Sequence, residues 1–384
     1  MKLTIKHYIV LSLFFATMLT SLWPNNIYLL FTFSLSSLLL LRTDTVKTGT
    51  SISLLLFSFL YCLNQYTTVG AGSGFVFLSI LIAPFAFYKF GCWVMGWLHD
   101  DNQRLKFIFI TLLCYLSPAL LLTIQDMMLV GLVNESRRLL MDIGKEDTTL
   151  AATLYGLMSS TGIGFVSIIF APKMKLWEKL CYSSICIMAV LIAIHLVNRT
   201  GLVLLALCVL FAFAYSSRLK FSRLVITALL MLIVFVVIIK SGLIPQDVLD
   251  AYMAREDAAT ANVSDFGGRS VLWDDALSKI FTHPFGWERL DYAHNLWLDL
   301  AAIGGWFSLF FFLKVTFSSI KGFFMVMRQK VTPFKTVLLA VYLSMMFNSM
   351  DEPVIEGSPL FFVLLIMMWG DGHLPFKKSL DNIL

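Results

Sequence analysis

Charged residues make up only 14% of this 384-residue chain, while 58% are hydrophobic and the mean hydropathy is +0.81. Soluble domains carry about 25% charged residues. This scarcity of charge excludes an ordinary water-soluble domain and indicates a chain that needs lipid as its solvent. The formal net charge is +5, but the basic residues form no single stripe. The sequence therefore does not predict a nucleic-acid partner.

Cysteine is also sparse, and its placement excludes two further classes of protein. The six cysteines all lie in or beside apolar runs, at positions 62, 92, 114, 181, 186 and 208. None lies in a long polar loop, and their spacing matches neither a disulfide framework nor a zinc site. The sequence has no internal repeat and no low-complexity tract.

Long apolar runs dominate what is present. Runs of this kind predict transmembrane helices, each of which needs about 20 residues for a full crossing. The predicted spans are 8–22, 27–41, 51–63, 73–90, 105–124, 149–171, 180–197, 201–217, 224–240, 293–313, 336–350 and 359–370. We therefore expect an all-α integral membrane protein of about 12 transmembrane helices.

The distribution of Lys and Arg predicts the orientation of these spans. With a cytoplasmic N-terminus, most of the 29 basic residues lie in cytoplasmic segments, as expected for an inner-membrane protein. Both termini are then cytoplasmic. Residues 1–240 hold helices 1–9 with a short periplasmic loop near 125–148. Residues 241–292 form a long periplasmic loop, and 293–384 hold helices 10–12 and a cytoplasmic tail.

The long loop is predicted to contain two helices. One is expected around Val248 to Glu256 and the other around Ser270 to Phe281, joined by the linker AATANVSDFGG. Loops long enough to hold structure on one side of a membrane are where the sequence directs a search for function.

Arg199 is the first candidate functional residue, because it lies between two spans that almost touch. An arginine at a membrane interface often only snorkels towards water. His195, however, lies one helical turn earlier on the same face. A His and an Arg stacked at the membrane edge suit an anionic head group.

Arg269 is the second candidate. Gly267 and Gly268 precede it and an amphipathic stretch follows, so it stands at a predicted helix start, where unpaired N–H groups favour anions. Asp274 and Asp275 are interpreted as solvating the exposed face of that helix.

His294 is the third candidate and stands where the long loop re-enters the membrane. A neutral histidine is a plausible general base near neutral pH, although a lone interfacial His is often structural. Asp299, one turn after Asn295, is an acid within an apolar helix. We expect it to face the interior of the helix bundle, because a charge in lipid is costly.

Together these residues resemble the bacterial O-antigen ligase and O-antigen polymerase superfamily. The resemblance covers about 195–313. It is carried by Arg199, by Arg269 with Trp273, by the turn His283-Pro284-Phe285-Gly286, by His294-Asn295 and by Gly304-Gly305. One departure is that Ala302 stands where many relatives have an acid, with Asp299 three positions earlier. This departure puts in doubt any role assigned to that acid.

The resemblance implies a membrane-embedded glycosyltransferase that uses an undecaprenyl-diphosphate-linked glycan at the periplasmic face. His294 would be the catalytic base, and Arg199 and Arg269 would bind the substrate diphosphate. His195, Asn295, Asp299 and Trp273 are supporting candidates. No metal or other cofactor is expected, since no paired acids of the DxD kind lie near these residues.

Three functions stay open at this point. A polysaccharide polymerase, which is favoured, adds to another lipid-linked repeat unit, with a flippase and a chain-length regulator as further partners. A ligase instead transfers the glycan to lipid A–core in lipopolysaccharide biosynthesis. A twelve-span secondary transporter is the rival from another class, but such transporters have a long cytoplasmic middle loop, whereas the longest loop here is predicted outside.

Overall fold

A computed structural model describes most of the chain. The described residues are 3–23, 26–42, 48–68, 74–134, 138–140, 149–218, 241, 245–259, 269–287, 293–352 and 354–371. Every predicted span except the ninth overlaps a helix within these residues. The ninth, 224–240, lies outside the described residues.

The described part is almost wholly helical. In chain order the helices are α1 Ile5–Leu19, α2 Asn26–Leu40, α3 Thr48–Thr68, α4 Gly74–Trp97, α5 Asp101–Val130, α6 Ala152–Ile163, α7 Leu176–His195, α8 Arg199–Ser217, α9 Gln246–Ala259, α10 Arg269–Ile280, α11 Leu296–Met327, α12 Pro333–Asn348, α13 Val354–Gly357 and α14 Pro359–Asp371. A 3₁₀ segment, Gly164–Phe170, extends α6. Two three-residue strands, β1 Arg138–Leu140 and β2 Thr149–Ala151, pair antiparallel.

Six of the described helical segments are long and apolar enough to cross a membrane. They are Phe77–Trp97, Asp101–Val130, Thr153–Phe170, Leu176–His195, Arg199–Ser217 and Leu296–Met327. Four shorter apolar helices accompany them: Ile5–Leu19, Asn26–Leu40, Pro333–Asn348 and Pro359–Gly370. The chain thus has the character of a helical membrane protein, and the total of 12 crossings stays a prediction.

The two helices predicted within the long loop are present as α9 and α10. Helix α11 is longer than the predicted span 293–313 and continues to Met327. The basic residues Lys314 and Lys321 suggested an earlier exit from the membrane. A helix does not have to end there, because long Lys side chains can extend towards water while the backbone stays helical.

The chain folds into two compact units. The first comprises Met1–Tyr115, Gly268–Gln329 and Ser349–Leu384, and the second comprises Leu116–Gly267 and Lys330–Asn348. In the first unit α3 packs along α11, and α4 packs on α2 and α14. In the second unit α6 with its 3₁₀ extension packs against α7, α8 and α12.

Candidate functional site

In the first unit, the turn that follows α10 docks into a break in α11. Gly305 has φ 67° and ψ −174°, which interrupts the helical backbone. The turn fills this break through two backbone hydrogen bonds, from Trp306 N to Pro284 O and from Trp287 N to Ala302 O, both 2.8 Å. The side-chain amide of Asn64 donates to Gly304 O at 2.7 Å. The carbonyls that the break leaves without helical partners are therefore paired, as burial in an apolar environment requires.

Glycine is required on both sides of this junction. Gly286 has φ 92°, and a Cβ there would collide with the carbonyl oxygen of Ala302. A Cβ at Gly305 would collide with the carbonyl oxygen of Pro284. The turn 283–286 and the glycine pair 304–305, which the sequence singles out separately, are thus two halves of one junction.

His294 follows this junction with its backbone held in a left-handed conformation. Its φ is 51°, which is uncommon for any residue except glycine. The residue before it, Ala293, is fixed at both backbone groups: Trp273 Nε1 donates to its carbonyl at 2.7 Å, and its N–H donates to Asp299 Oδ1 at 2.9 Å. The N–H of Asn295 donates to Asp299 Oδ2 at 3.3 Å. Asp299 therefore holds the chain on both sides of His294.

Asn295 starts α11 and ties it to the segment that follows α12. Its side-chain oxygen accepts from the N–H groups of Trp297 and Leu298, so it caps the helix. The backbone N–H of Leu296 donates to Ser349 O at 2.8 Å. These contacts bring residues 349–352 beside His294.

Two acidic residues in that segment face the candidate residues. Arg269 Nη1 is hydrogen-bonded to Asp351, and its Nη2 lies 3.9 Å from Glu352 Oε1. The other carboxylate oxygen of Glu352, Oε2, lies 3.6 Å from His294 Nδ1. The first unit therefore groups Arg269, His294, Asp351 and Glu352.

In the second unit, His195 is completely buried and both of its ring nitrogens have partners. Nδ1 is 2.9 Å from Leu132 O, and Nε2 is 2.8 Å from Asp126 Oδ2. The side-chain amide of Asn134 donates to the same Asp126 oxygen at 2.6 Å. A carbonyl only accepts, so Nδ1 carries a proton. Nε2 is occupied by its contact with the Asp126 carboxylate. His195 thus joins the ends of α5 and α7, and neither nitrogen is free to take a substrate proton.

Arg199 is the first residue of α8, after a tight turn from α7. In that turn Val197 has φ 50°, and the side chain of Asn198 caps α8 by accepting from Gly201 N at 3.0 Å. Arg199 Nη2 donates to Tyr252 O on α9 at 3.2 Å. A cation at a helix N-terminus opposes the helix dipole, so the described feature that favours this arginine is its hydrogen bond to α9.

The structure thus divides the predicted site residues. Arg269, Trp273, His294, Asn295 and Asp299 come together in the first unit, and His195 and Arg199 lie in the second. Gly267 and Gly268 lie outside the described residues. Within the described part, no three His, Cys, Asp or Glu side chains are grouped as a metal site requires.

Sequence reasoning missed Asp126, Asp351 and Glu352. An acidic pair in the short stretch SMDEPV, between two apolar runs, is a signal that could have drawn attention to the last two. Their partner could not be inferred, because Arg269 lies 82 positions earlier in the chain.

No family model matches this chain, and no curated protein matches it. The resemblance to the ligase and polymerase superfamily therefore rests on the motif residues of the sequence alone and stays a prediction.

Proposed function

We propose that this protein is a glycosyltransferase of the bacterial inner membrane, with both termini in the cytoplasm and its site at the periplasmic face. Its donor is a glycan linked to undecaprenyl diphosphate. The observation that supports the proposal most is the setting of His294. Trp273 and Asp299 hold the backbone next to His294, whose own conformation is left-handed. The carboxylate of Glu352 lies 3.6 Å from His294 Nδ1 and 3.9 Å from Arg269 Nη2. A strained backbone of this kind is typical of functional sites.

In the proposed reaction His294 is the general base. The acceptor hydroxyl gives its proton to a nitrogen of His294, and the acceptor oxygen bonds to the anomeric carbon of the donor sugar. The bond from that carbon to the diphosphate oxygen breaks, and undecaprenyl diphosphate leaves. General-base catalysis of this kind contributes about 10²–10⁴-fold in rate.

Arginine is the proposed partner of the leaving diphosphate, since its planar fork can hold phosphate oxygens bidentately. In the first unit Arg269 is already paired with Asp351 and lies near Glu352. The donor must therefore take the place of Asp351 on the guanidinium. A diphosphate can do so because it presents more oxygens and more negative charge than one carboxylate. Arg199 lies in the second unit, and its proposed role in binding a substrate diphosphate rests on the sequence alone.

The acceptor in this proposal is another lipid-linked repeat unit, which makes the protein a polysaccharide polymerase. The ligase alternative uses the same donor and the same base and differs in the acceptor, lipid A–core.

Lipopolysaccharide from a strain that depends on this protein tests the function and the acceptor together. His294→Ala should remove the ladder and leave lipid A–core capped with one repeat unit, because polymerisation fails while ligation by another enzyme continues. Bare core with lipid-linked polymer left in the membrane would instead show a ligase. Substrate stranded on the cytoplasmic side would show a transporter. His99→Ala is the matched control, since His99 is an exposed histidine outside the motif residues. A normal ladder with His294→Ala at normal expression would remove His294 from the site.

A further inference from the structure

The carboxylate of Glu352 faces both Arg269 and His294 in the first unit. Its Oε2 lies 3.6 Å from His294 Nδ1 and its Oε1 lies 3.9 Å from Arg269 Nη2. The Glu352 residue is only 8% exposed, so this carboxylate is poorly solvated. Nothing in the sequence motifs assigns it a role.

His294 Nδ1 needs a partner that the described residues do not yet supply. This nitrogen is buried from solvent and has no hydrogen bond within the described part of the chain. A buried polar atom without a partner is costly. The Glu352 oxygen at 3.6 Å is a few tenths of an ångström beyond hydrogen-bonding distance. Catalytic hydrogen bonds are often long without substrate and shorten when it binds.

We propose that Glu352 is the positioning residue for His294, and this inference rests on the proposed transferase function. Nδ1–H of His294 donates to Glu352 Oε2 when the donor is bound. This hydrogen bond fixes the tautomer, so that Nε2 is the unprotonated nitrogen that faces the acceptor. A carboxylate that orients a base in this way also stabilises the imidazolium formed in the reaction.

Every proton in the proposed transfer step is accounted for. The acceptor O–H bond breaks and its proton moves to Nε2, while Nδ1 keeps its own proton and its hydrogen bond to Glu352. The acceptor oxygen gains the anomeric carbon, and the diphosphate leaves with the electron pair of the broken C–O bond. Glu352 stays ionised and gains a cationic neighbour for as long as His294 carries both protons.

The position of Glu352 between the two residues also couples donor binding to the base. While Arg269 is paired with the acidic residues, it offsets part of the charge of Glu352. When Arg269 turns to the diphosphate, Glu352 loses that cation and interacts more strongly with His294. Donor binding thereby strengthens the contact between Glu352 and His294 in the complex in which it is needed.

Kinetics of the purified protein in lipid nanodiscs, with a lipid-linked glycan donor, test this inference. Glu352→Gln keeps the shape of the side chain but removes its charge. We expect kcat to fall about 100-fold or more, with KM for the donor unchanged or lower, because a competitor for Arg269 has been removed. Glu352→Asp, which restores the carboxylate one methylene further back, should recover part of kcat. Asp274→Asn, which neutralises an exposed acid on α10, should leave both constants unchanged.

A combined variant separates positioning from a structural role. If Glu352 acts through His294, then His294→Ala with Glu352→Gln should be no slower than His294→Ala alone. A multiplied loss of kcat, or a raised KM in Glu352→Gln, would overturn the proposal and show that Glu352 only maintains the local structure.

A separate measurement recognises a failure of the proposed transferase function. If the unaltered protein transfers no glycan, the transferase proposal fails. The contact is then judged from thermal unfolding, with the lipid-linked donor present, of the unaltered protein, His294→Ala, Glu352→Gln and the combined variant. Non-additive shifts of the unfolding midpoint would support the His294–Glu352 interaction. Additive shifts would overturn it.

Discussion

At the scale of single residues, backbone strain occurs at or near two of the candidate residues that were predicted from the sequence. His294 itself has φ 51°, and Val197, two positions before Arg199, has φ 50°. A β-branched residue such as Val is a genuine outlier there, and each such residue costs about 1–3 kcal/mol. Both are held by surrounding hydrogen bonds. The free-energy cost of these two turns is consistent with a requirement that the side chains of His294 and Arg199 be held in fixed positions.

Two substitutions of Arg269 test whether its positive charge is sufficient or whether the shape of its guanidinium is also required. Arg269→Ala should abolish transfer while the protein still inserts, because a charge-assisted contact to the leaving diphosphate is worth on the order of 2–4 kcal/mol in the transition state. Arg269→Lys should recover little of this activity, since a point charge cannot reproduce a bidentate fork. The measurement is kcat/KM with the lipid-linked donor.

Lys279→Ala provides the control for the Arg269 variants. Lys279 is a cation near the other end of the same helix and pairs with Asp275 on an exposed face, where ion pairs contribute little. The activity of the Lys279→Ala variant should match that of the unaltered protein. Full activity of Arg269→Ala, or full rescue by Lys, would show that this arginine only links α10 to residues 351–352.

At the scale of helices, the junction between the turn 283–286 and the break in α11 determines where α10 and His294 lie. The break comes nine residues after the start of α11, or about 14 Å along the helix at 1.5 Å per residue. Irregular backbone at such a depth is tolerated only where protein covers it. Here the covering elements are the turn itself and Asn64 of α3.

Gly305→Ala should therefore destabilise the first unit. The conformation of Gly305 is accessible almost only to glycine and costs other residues about 1–3 kcal/mol, to which the collision with Pro284 O adds. The expected result is a lower thermal unfolding midpoint and a lower yield of folded protein. Gly49→Ala is the control, because Gly49 lies in α3 with open space around it. That change should be neutral or stabilising by up to about 1 kcal/mol. An unchanged midpoint for Gly305→Ala would contradict the account of the junction.

The helices could largely be predicted from the sequence, because their apolar character is local information. Helix α10 was predicted from glycines before an amphipathic stretch and is present at Arg269–Ile280. Helix α11 extends to Met327, beyond the predicted span 293–313, since charge marks where a side chain meets water and does not fix where the backbone hydrogen bonds stop.

The site could be predicted only in part, because its contacts join distant parts of the chain and are not local information. Arg269 and His294 stand out because their types are unusual in an apolar chain. The partners of these residues depend on which chain segments approach each other, and that approach is set by the packing of whole helices. The contact between Arg269 and Asp351, and the roles of Asp126 and Glu352, could therefore not be inferred from one sequence.

At the scale of the molecule, the two compact units each combine distant parts of the chain. The predicted topology assigns to the outer side the end of α5, the turn between α7 and α8, the start of α11 and residues 351–358. Three of these places hold or adjoin His195, Arg199 and His294, and the long loop, which is also predicted outside, holds Arg269. The candidate residues therefore share the predicted outer side, because the search for function began from the segments that the topology assigns to it.

The most direct test of the central claim is transfer by the purified protein from an undecaprenyl-diphosphate-linked glycan. Products are followed by mass spectrometry, with and without EDTA. The account predicts that the lipid-linked glycan grows by whole repeat units and that undecaprenyl diphosphate is released. It predicts the same rate in chelator, and loss of both products in His294→Ala. No turnover with any lipid-linked donor would contradict the transferase proposal. Turnover that EDTA abolishes and magnesium restores would contradict the assignment of the diphosphate to arginine alone.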